Sequence, residues 1–471
     1  MAVPPKATAA AFFDLDRTLL AGASGPILAD ALRRAGLGGR ALPGERLVYG
    51  IFNSVGETLP GIALARQAAT LAKGRSQAAV RAAAADAAQA LLDRLQPFAA
   101  GLFAEHRDAG RALVLATTTP YDLVKPLADV LGFDAVVATR YKVRPDGTYD
   151  GSLEGPFVWS SGKLTAVRAW ADEHGVDLQD SWFYSDSVYD TPLLSAVGHP
   201  VVVNPDPRMV VVALARRWPI LHLDVPPGVP KLPLLGIEPQ RLALAFARPE
   251  FFRYARFDIA GTENIPKSGP AIVCANHRSY FDPIAVGLAL ARSGRTTRFL
   301  GKKEVFDAPV IGRLARAFGG IRVDRGTGSD EPLKEAGAAL AAGELVAIMP
   351  QGTIPRGPAF FDPVLQGRWG AARLAQMTGA PVIPLGLWGT EQVWPRSARL
   401  PDVMNVWSPP EVRIRVGTPV DLGYDDVDAD TRAIMDAIAA LLPEEARRQR
   451  EPTEEELART RPPGWHEDRA N

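Results

Sequence analysis

An α/β architecture in two successive units follows from three features of this 471-residue chain. Short apolar runs of strand length alternate with helix-patterned stretches in two separate parts of the sequence. A compact run of prolines and glycines, VPPGVPKLPLLG, lies between those parts. The length is also too great for one ordinary domain of roughly 150 residues.

The first unit is predicted over residues 1–206. It opens with a buried strand, Ala9–Leu15, and then an alanine-rich region in which Gln77–Leu95 combines high helix propensity with helix-spaced apolar residues. The strands Ala112–Thr117, Ala135–Thr139, Ser181–Asp186 and Pro200–Asn204 follow, with helical stretches between them, the pattern of a mostly parallel sheet. The helical insertion at about residues 22–105 reads as a cap. Residues 207–245 read as a linker or membrane-proximal connector. The second unit is predicted over 246–445, with strands Ala271–Asn276, Thr296–Gly301, Leu345–Pro350, Pro381–Gly386 and Val412–Gly417. A charged tail occupies 446–471, partly helical and ending in disorder.

Composition narrows the function classes. Acidic and basic residues number 53 each and 47% of residues are hydrophobic, which excludes a charge-dominated disordered chain. No continuous Lys/Arg stripe with interleaved aromatics is present, so no nucleic-acid partner is expected. A single cysteine excludes a disulfide framework and a cysteine-rich metal cluster. The N-terminal apolar run meets Asp14 and Asp16 too early for a signal peptide. No stretch reaches the roughly 18 apolar residues of a spanning helix.

Two constellations carry chemistry. In the first, Asp14-Leu15-Asp16-Arg17-Thr18 ends an apolar strand, where open α/β sheets bind ligands. Asp14 is the candidate nucleophile, able to form an aspartyl-phosphate. Asp16 is the candidate acid and base, protonating the leaving alcohol and later activating water. Asp186 and Asp190, after another strand, complete with Asp14 a hard, oxygen-rich Mg²⁺ site. Thr117 donates to a phosphoryl oxygen, and Lys163 holds the same group and restrains the nucleophile's charge. Each piece alone is a common surface pattern; their order at strand ends gives them weight. Over about 200 residues this part resembles the haloacid-dehalogenase-like phosphatases of the phosphoserine-phosphatase-like branch. The resemblance implies a Rossmann-like phosphatase fold with a helical cap. It assigns motif positions to Asp14, Asp16, Thr18, Thr117, Lys163, Asp186 and Asp190, with the Asp16 backbone carbonyl as a metal ligand and Asp190 as a ligand or its support. Arg17 stands where the broader family commonly has glycine.

In the second constellation, Asn276-His277-Arg278-Ser279-Tyr280-Phe281-Asp282 follows a strand. On a tight loop entering a helix, the Asp282 carboxylate returns to His277, fixes its tautomer and lets it act as general base on an acceptor hydroxyl. Downstream lie Gly320, Arg322 and Arg325, whose forked donors suit an acceptor phosphate, and Lys302 and Lys303. Gln351, Gly352 and Thr353 follow another strand, and Val382 to Leu385 close the set. From Phe251 to about Thr418 this part looks like the glycerolipid acyltransferases, whose familiar activity acylates 1-acyl-glycerol-3-phosphate. Its third motif carries Gln351 where the family has glutamate, which keeps the size and hydrogen bonding but loses the carboxylate.

The resemblances imply acyl transfer from acyl-CoA or acyl carrier protein to a lysophospholipid, a second Mg²⁺-dependent phosphomonoesterase site, and no cofactor in the acyltransferase unit. A sequence of acylation followed by dephosphorylation is one expectation. A greasy donor and product call for a membrane surface, with peripheral location on the cytoplasmic side. Phe251, Phe252, Tyr254 and Phe257, set among Arg253 and Arg256, are the first candidates for that contact, with Ile51–Gly74 and Leu234–Ala247 beside them. Two other readings stand next to this one: an acyltransferase with an inactive regulatory phosphatase-like unit, and a non-catalytic membrane-associated lipid-binding protein.

Overall fold

The computed structural model describes residues 7–38, 66–226, 229–232, 236–244, 246–309, 311–323 and 331–463. The chain divides into two units, the first running from Met1 to Pro227 with Leu232–Gly236, the second comprising Gly228–Lys231 and Ile237–Asn471.

The first unit is built on six parallel strands: β1 (Ala10–Phe13), β2 (Ala112–Thr117), β3 (Ala135–Ala138), β6 (Trp182–Ser185), β7 (His199–Val203) and β8 (Ile220–Leu221), in the order β3-β2-β1-β6-β7-β8. Between β3 and β6 a two-stranded antiparallel hairpin, β4 (Arg140–Val143) and β5 (Tyr149–Glu154), stands apart from this sheet. The two-residue period of the strands splits their side chains between two cores. Ala11, Phe13, Leu113 and Leu115 enter one; Ala10, Phe12, Ala112 and Val114 enter the other. Covering both faces explains why these strands read as continuous apolar runs.

The predicted cap boundary needs correction. Helices Gly25–Arg34 and Gln77–Leu92 pack on each other, and the latter packs on helix Tyr121–Leu131, as expected of an insertion. Helix Ala99–Asp108, by contrast, belongs to the sheet's own layer, where Phe103 packs edge-on to Phe13. The hairpin also joins the insertion: Tyr149 is buried with Ala72 and Val80, and its hydroxyl donates to Asp122, which Gln77 and Arg81 also hold. Most of the Ile51–Gly74 stretch, residues 51–65, lies outside the described residues.

The connector reading of 207–245 is likewise corrected at its start. Asp206 accepts from the Met209 N–H, Pro207 takes the first helical turn, and helix Pro207–Arg216 buries Met209 and Ala213 against the first sheet. β8 then extends that sheet by a strand.

The second unit has seven strands: β9 (Arg256–Ala260), β10 (Ala271–Ala275), β11 (Thr297–Lys302), β12 (Ile321–Val323), β13 (Leu345–Ile348), β14 (Val382–Trp388) and β15 (Glu411–Val416). Their order is β12-β11-β13-β10-β14-β15-β9, parallel except where β14 meets β15. Here too Ala271, Val273 and Ala275 face one core while Ile272 and Cys274 face the other. A buried arginine ties this sheet together: Arg298 on β11, fully buried, bonds the buried Glu238 and both oxygens of the partly buried Glu344. The residues around Phe251 fold otherwise than a membrane anchor would. Phe252, Tyr254 and Phe257 ring Phe281 within this core, and only Phe251 of the four is exposed. In the tail, Thr453 and Glu456 form a reciprocal cap on helix Glu454–Arg459. No helix among the described residues is long and apolar enough to cross a membrane.

Candidate active sites

In the first sheet, β1 leads to β2 and β3 on one side, and the chain then crosses to β6 on the other, so β1 marks a topological switch point. Asp14 follows β1, Thr117 ends β2, and Asp186 follows β6; three adjacent parallel strands thus deliver these residues to one edge. The Asp14 N–H donates to the Tyr184 carbonyl at 2.9 Å, which fixes the start of the loop. That loop turns through Arg17 at φ 60°, the left-handed region that glycine occupies most readily.

Lys163 is the centre of the charge arrangement. It is 1% exposed, and its Nζ lies 2.8 Å from Asp14 Oδ1 and 2.7 Å from Asp190 Oδ2. The tight loop before it requires Gly162, since a Cβ there would stand 2.2 Å from the Phe157 carbonyl oxygen. Ser185 also donates to Asp190 Oδ2, at 2.7 Å. Asp190 and Asp14 thus hold the lysine between them. Thr18 Oγ1 sits between Asp14 Oδ2 at 3.4 Å and Asp186 Oδ1 at 3.2 Å, and accepts the Asp186 N–H. Arg17 Nε lies 3.2 Å from Asp186 Oδ2. Among the described residues no three His, Cys, Asp or Glu side chains converge as a metal cluster. Two carboxylates around one hydroxyl still fit Mg²⁺, which takes one or two carboxylates and keeps several waters.

Asp16 stands apart from this cluster. Its carboxylate accepts from the Ser24 N–H and from Thr119 Oγ1 at 3.1 Å. Burial pushes its carboxyl above the ordinary range, against the lowering effect of those bonds. Sequence reasoning missed Ser24, Thr119 and Ser185. Thr117 accepts the Thr119 N–H, and Thr118 Oγ1 is buried without a hydrogen-bond partner among the described residues.

In the second sheet, β13, β10 and β14 lie side by side and bring Gln351, the His277 loop and Thr390 to one edge. Asn276 prolongs β10 with its side chain, donating to the Leu387 carbonyl at 2.9 Å and accepting the Leu387 N–H at 2.7 Å. Asp282 opens helix Asp282–Ala291, where the helix dipole favours a carboxylate, and is fully buried. Its Oδ2 takes three donors: His277 Nδ1 at 2.8 Å, the Arg278 N–H at 2.6 Å and the Ser279 N–H at 2.8 Å. Thr390 donates to Oδ1 at 2.6 Å. An acceptor so surrounded requires the proton on His277 Nδ1, leaving Nε2 as the basic nitrogen. Gln351 Oε1 accepts the His277 N–H at 2.6 Å, so the amide supplies the acceptor that positions this loop without a carboxylate. Arg278, unremarked in the sequence, is held by Glu391 at 2.8 Å between the rings of Phe360 and Trp388.

The acceptor-binding set is less concentrated. Gly352 adopts φ 71°, and Lys302 Nζ lies 3.4 Å from Thr353 Oγ1. Gly320 precedes β12, where a Cβ would press on Phe306. Arg322 sits on β12, the edge strand three strand spacings, roughly 14 Å, from β10. It lies 3.6 Å from Asp307. Arg325 falls outside the described residues.

Comparison with known proteins agrees with this division. The family model for haloacid dehalogenase-like hydrolase matches residues 11–195, and the acyltransferase model matches 256–388. An "Inhibition of morphological differentiation protein" from Streptomyces azureus is 34% identical, covering 50% of this chain and 87% of the relative. A phosphoserine phosphatase of Mycobacterium tuberculosis is 33% identical, covering 52% of this chain and 82% of its own length. Among solved structures, a 1-acyl-sn-glycerophosphate acyltransferase from Thermotoga maritima is 23% identical with a TM-score of 0.31, covering 43% of this chain and 78% of that one.

Proposed function

We propose, from the premise that the chain belongs to the haloacid dehalogenase-like hydrolases through residues 11–195 and carries an acyltransferase domain over residues 256–388, that it is a lipid enzyme with two reaction centres. The second unit transfers an acyl group from acyl-CoA or acyl carrier protein to a lysophosphatidic-acid-like acceptor. The first unit hydrolyses a phosphomonoester.

One observation carries the acyl-transfer reading: a fully buried Asp282 with four donors, one of them His277 Nδ1. His277 Nε2 takes the proton of the acceptor hydroxyl as its oxygen attacks the thioester carbonyl. The new C–O ester bond forms, the C–S bond breaks, and the thiolate leaves to take up the proton. Asp282 stabilises the imidazolium through the interval. Lys302 and Thr353, whose Nζ and Oγ1 lie 3.4 Å apart, bind the acceptor's phosphate.

In the first unit Asp14 attacks phosphorus, and the P–O bond to the leaving alcohol breaks. Asp16, whose carboxyl burial pushes above its ordinary range, delivers a proton to that alcohol. It next takes a proton from the water that cleaves the aspartyl-phosphate. Lys163 orients Asp14 and neutralises part of its charge. Asp14, Asp186 and the Asp16 carbonyl would hold Mg²⁺, which would supply charge neutralisation at the phosphoryl oxygens.

The test uses wild-type, Asp14→Asn and His277→Ala full-length proteins with a panel of lysophospholipids and acyl-CoAs, products being resolved by mass spectrometry. Acyl product lost only in His277→Ala supports the first half; no acyl product from wild type with any acceptor sinks it. Phosphate release undiminished in Asp14→Asn sinks the second half. An alternative, in which the first unit is a non-catalytic regulatory module, is favoured by one contact. Arg17 Nε lies 3.2 Å from Asp186 Oδ2, an oxygen that a divalent cation would also need.

A further inference from the structure

The segment between the helix Thr390–Val393 and β15 presents an unusual surface. Leu400, Val403, Met404, Val406 and Trp407 are all exposed, from 44% at Val406 to 95% at Trp407. Five large apolar side chains within eight residues offer on the order of 500 Å² of apolar surface, at the upper end for one patch on a monomer. Arg399 is exposed at the flank.

This is a fastened loop. At its start the Asp402 N–H donates to the Val393 carbonyl at 3.1 Å, and Trp394 Nε1 donates to the Ala398 carbonyl at 3.2 Å. At its end the Arg256 N–H of β9 donates to the Pro410 carbonyl at 2.8 Å. The same anchor holds the catalytic loop. Ser279 donates to the Trp394 carbonyl at 2.6 Å, Tyr280 meets the Trp394 ring edge at 5.7 Å, and Thr390, one helical turn away, bonds Asp282. Tyr280 and Ile284, two residues to either side of Asp282, are exposed as well.

We propose that residues 400–407 form a lipid-docking loop, which enters a bilayer surface and thereby seats the His277–Asp282 centre at the interface. Two observations favour lipid over a second copy. The patch is smaller than the roughly 800 Å² per partner that a stable dimer buries. A tryptophan with a flanking arginine suits the boundary between acyl chains and headgroups. The choice of lipid rests on the acyl-transfer reading, because that reaction takes its acceptor from a membrane.

The test compares the full chain with a Leu400→Ser/Met404→Ser/Trp407→Ser variant. Sedimentation with phosphatidylcholine–phosphatidylglycerol vesicles should fall at least about tenfold in the variant. Acyl transfer to vesicle-borne lysophosphatidic acid should fall with it. Transfer to a short-chain lysophosphatidic acid, kept monomeric in water, should stay at the wild-type rate. A variant that partitions like wild type overturns the proposal, as does a wild type that fails to sediment with vesicles. A wild-type dimer, seen by light scattering and dissolved by the variant without change in vesicle binding, assigns the loop to self-association and also overturns it. Loss of vesicle binding in the variant, with no acyl transfer by wild type on any acceptor, leaves the loop assignment standing and removes the acyl-transfer reading instead.

Discussion

Replacing Lys163 by methionine should cost the first unit about 3 kcal/mol and nearly all of its phosphatase activity. The magnitude follows from two contacts. Nζ lies 2.8 Å from Asp14 Oδ1 and 2.7 Å from Asp190 Oδ2, so those two oxygens stand no more than about 5.5 Å apart. With the ammonium gone, two carboxylates at that separation repel by about 3 kcal/mol at an effective dielectric constant of about 20. This agrees with the 3–5 kcal/mol typical of breaking a buried pair by removing one partner. For a unit of this size the transition should fall by roughly 6–12 °C. Calorimetry of the full chain in metal-free buffer reads the first unit's transition. Adding Asp190→Asn to the variant removes one of the repelling charges and should restore at least half of the loss. Millimolar Mg²⁺ should also restore part of it. A Lys163→Met transition within about 2 °C of wild type, or a double variant no more stable than the single one, would refute the charge argument.

Three further outcomes are expected. Burial and Arg111 lower the His106 imidazole to about 4; Arg111 donates to Nδ1, so the ring is neutral and its Nε2–H donates to Tyr184. A depressed folded value means the contribution is complete above the unfolded value near 6.5 and is lost as pH falls through about 4. On the order of 3 kcal/mol should disappear across that window, and His106→Gln should flatten the urea-midpoint profile; an unchanged slope rejects the assignment. Gln351→Glu keeps the acceptor for the His277 N–H while adding a negative charge, so the acid limb of the kcat/KM profile for acyl transfer should move up by about half a pH unit. An unmoved limb would show that the charge at this position is not felt by the base. Arg17→Gly relieves a left-handed residue and removes the ion pair from Asp186. Magnesium binding measured by calorimetry should tighten about tenfold, the effect of roughly 1.4 kcal/mol; equal affinity would show that Arg17 does not compete with the metal.

The central strands were legible because they are buried on both faces. AAFF, ALVLAT, AIVCA and LVAI leave no polar position to confuse the period, and the polar residues that end them stand out. The acids and the His–Asp pair were singled out by their places after those strands, and Lys163, which lies on a helix, by the resemblance. The weak points have separate causes. β8 has two residues, too short for periodicity to register, and the helix before it was obscured by the prolines that follow. β4 alternates exposed and half-buried residues and β5 buries only Tyr149, so the hairpin lacks an apolar signature. The aromatic cluster at Phe252 to Phe257 carries the composition of an interface anchor, yet three of its rings close around Phe281. Only long-range packing decides that. Ser24, Thr119, Thr390 and Glu391 serve the sites through contacts with residues distant in sequence, and nothing in their local spacing announces them.

The side chain of Asn276 has a consequence for how the second site tolerates change. By giving and taking one hydrogen bond with Leu387, it acts as a surrogate peptide group, and the sheet continues for one rung after the main chain has turned away. The backbone around His277 is thereby released from ladder duty and can serve Gln351 and Asp282 instead. A sheet and a catalytic turn ordinarily compete for the same amides; here an amide borrowed from a side chain lets both be satisfied. Aspartate, nearly the same shape, would set two acceptors against a carbonyl, so this position discriminates between isosteres by a single hydrogen-bond polarity.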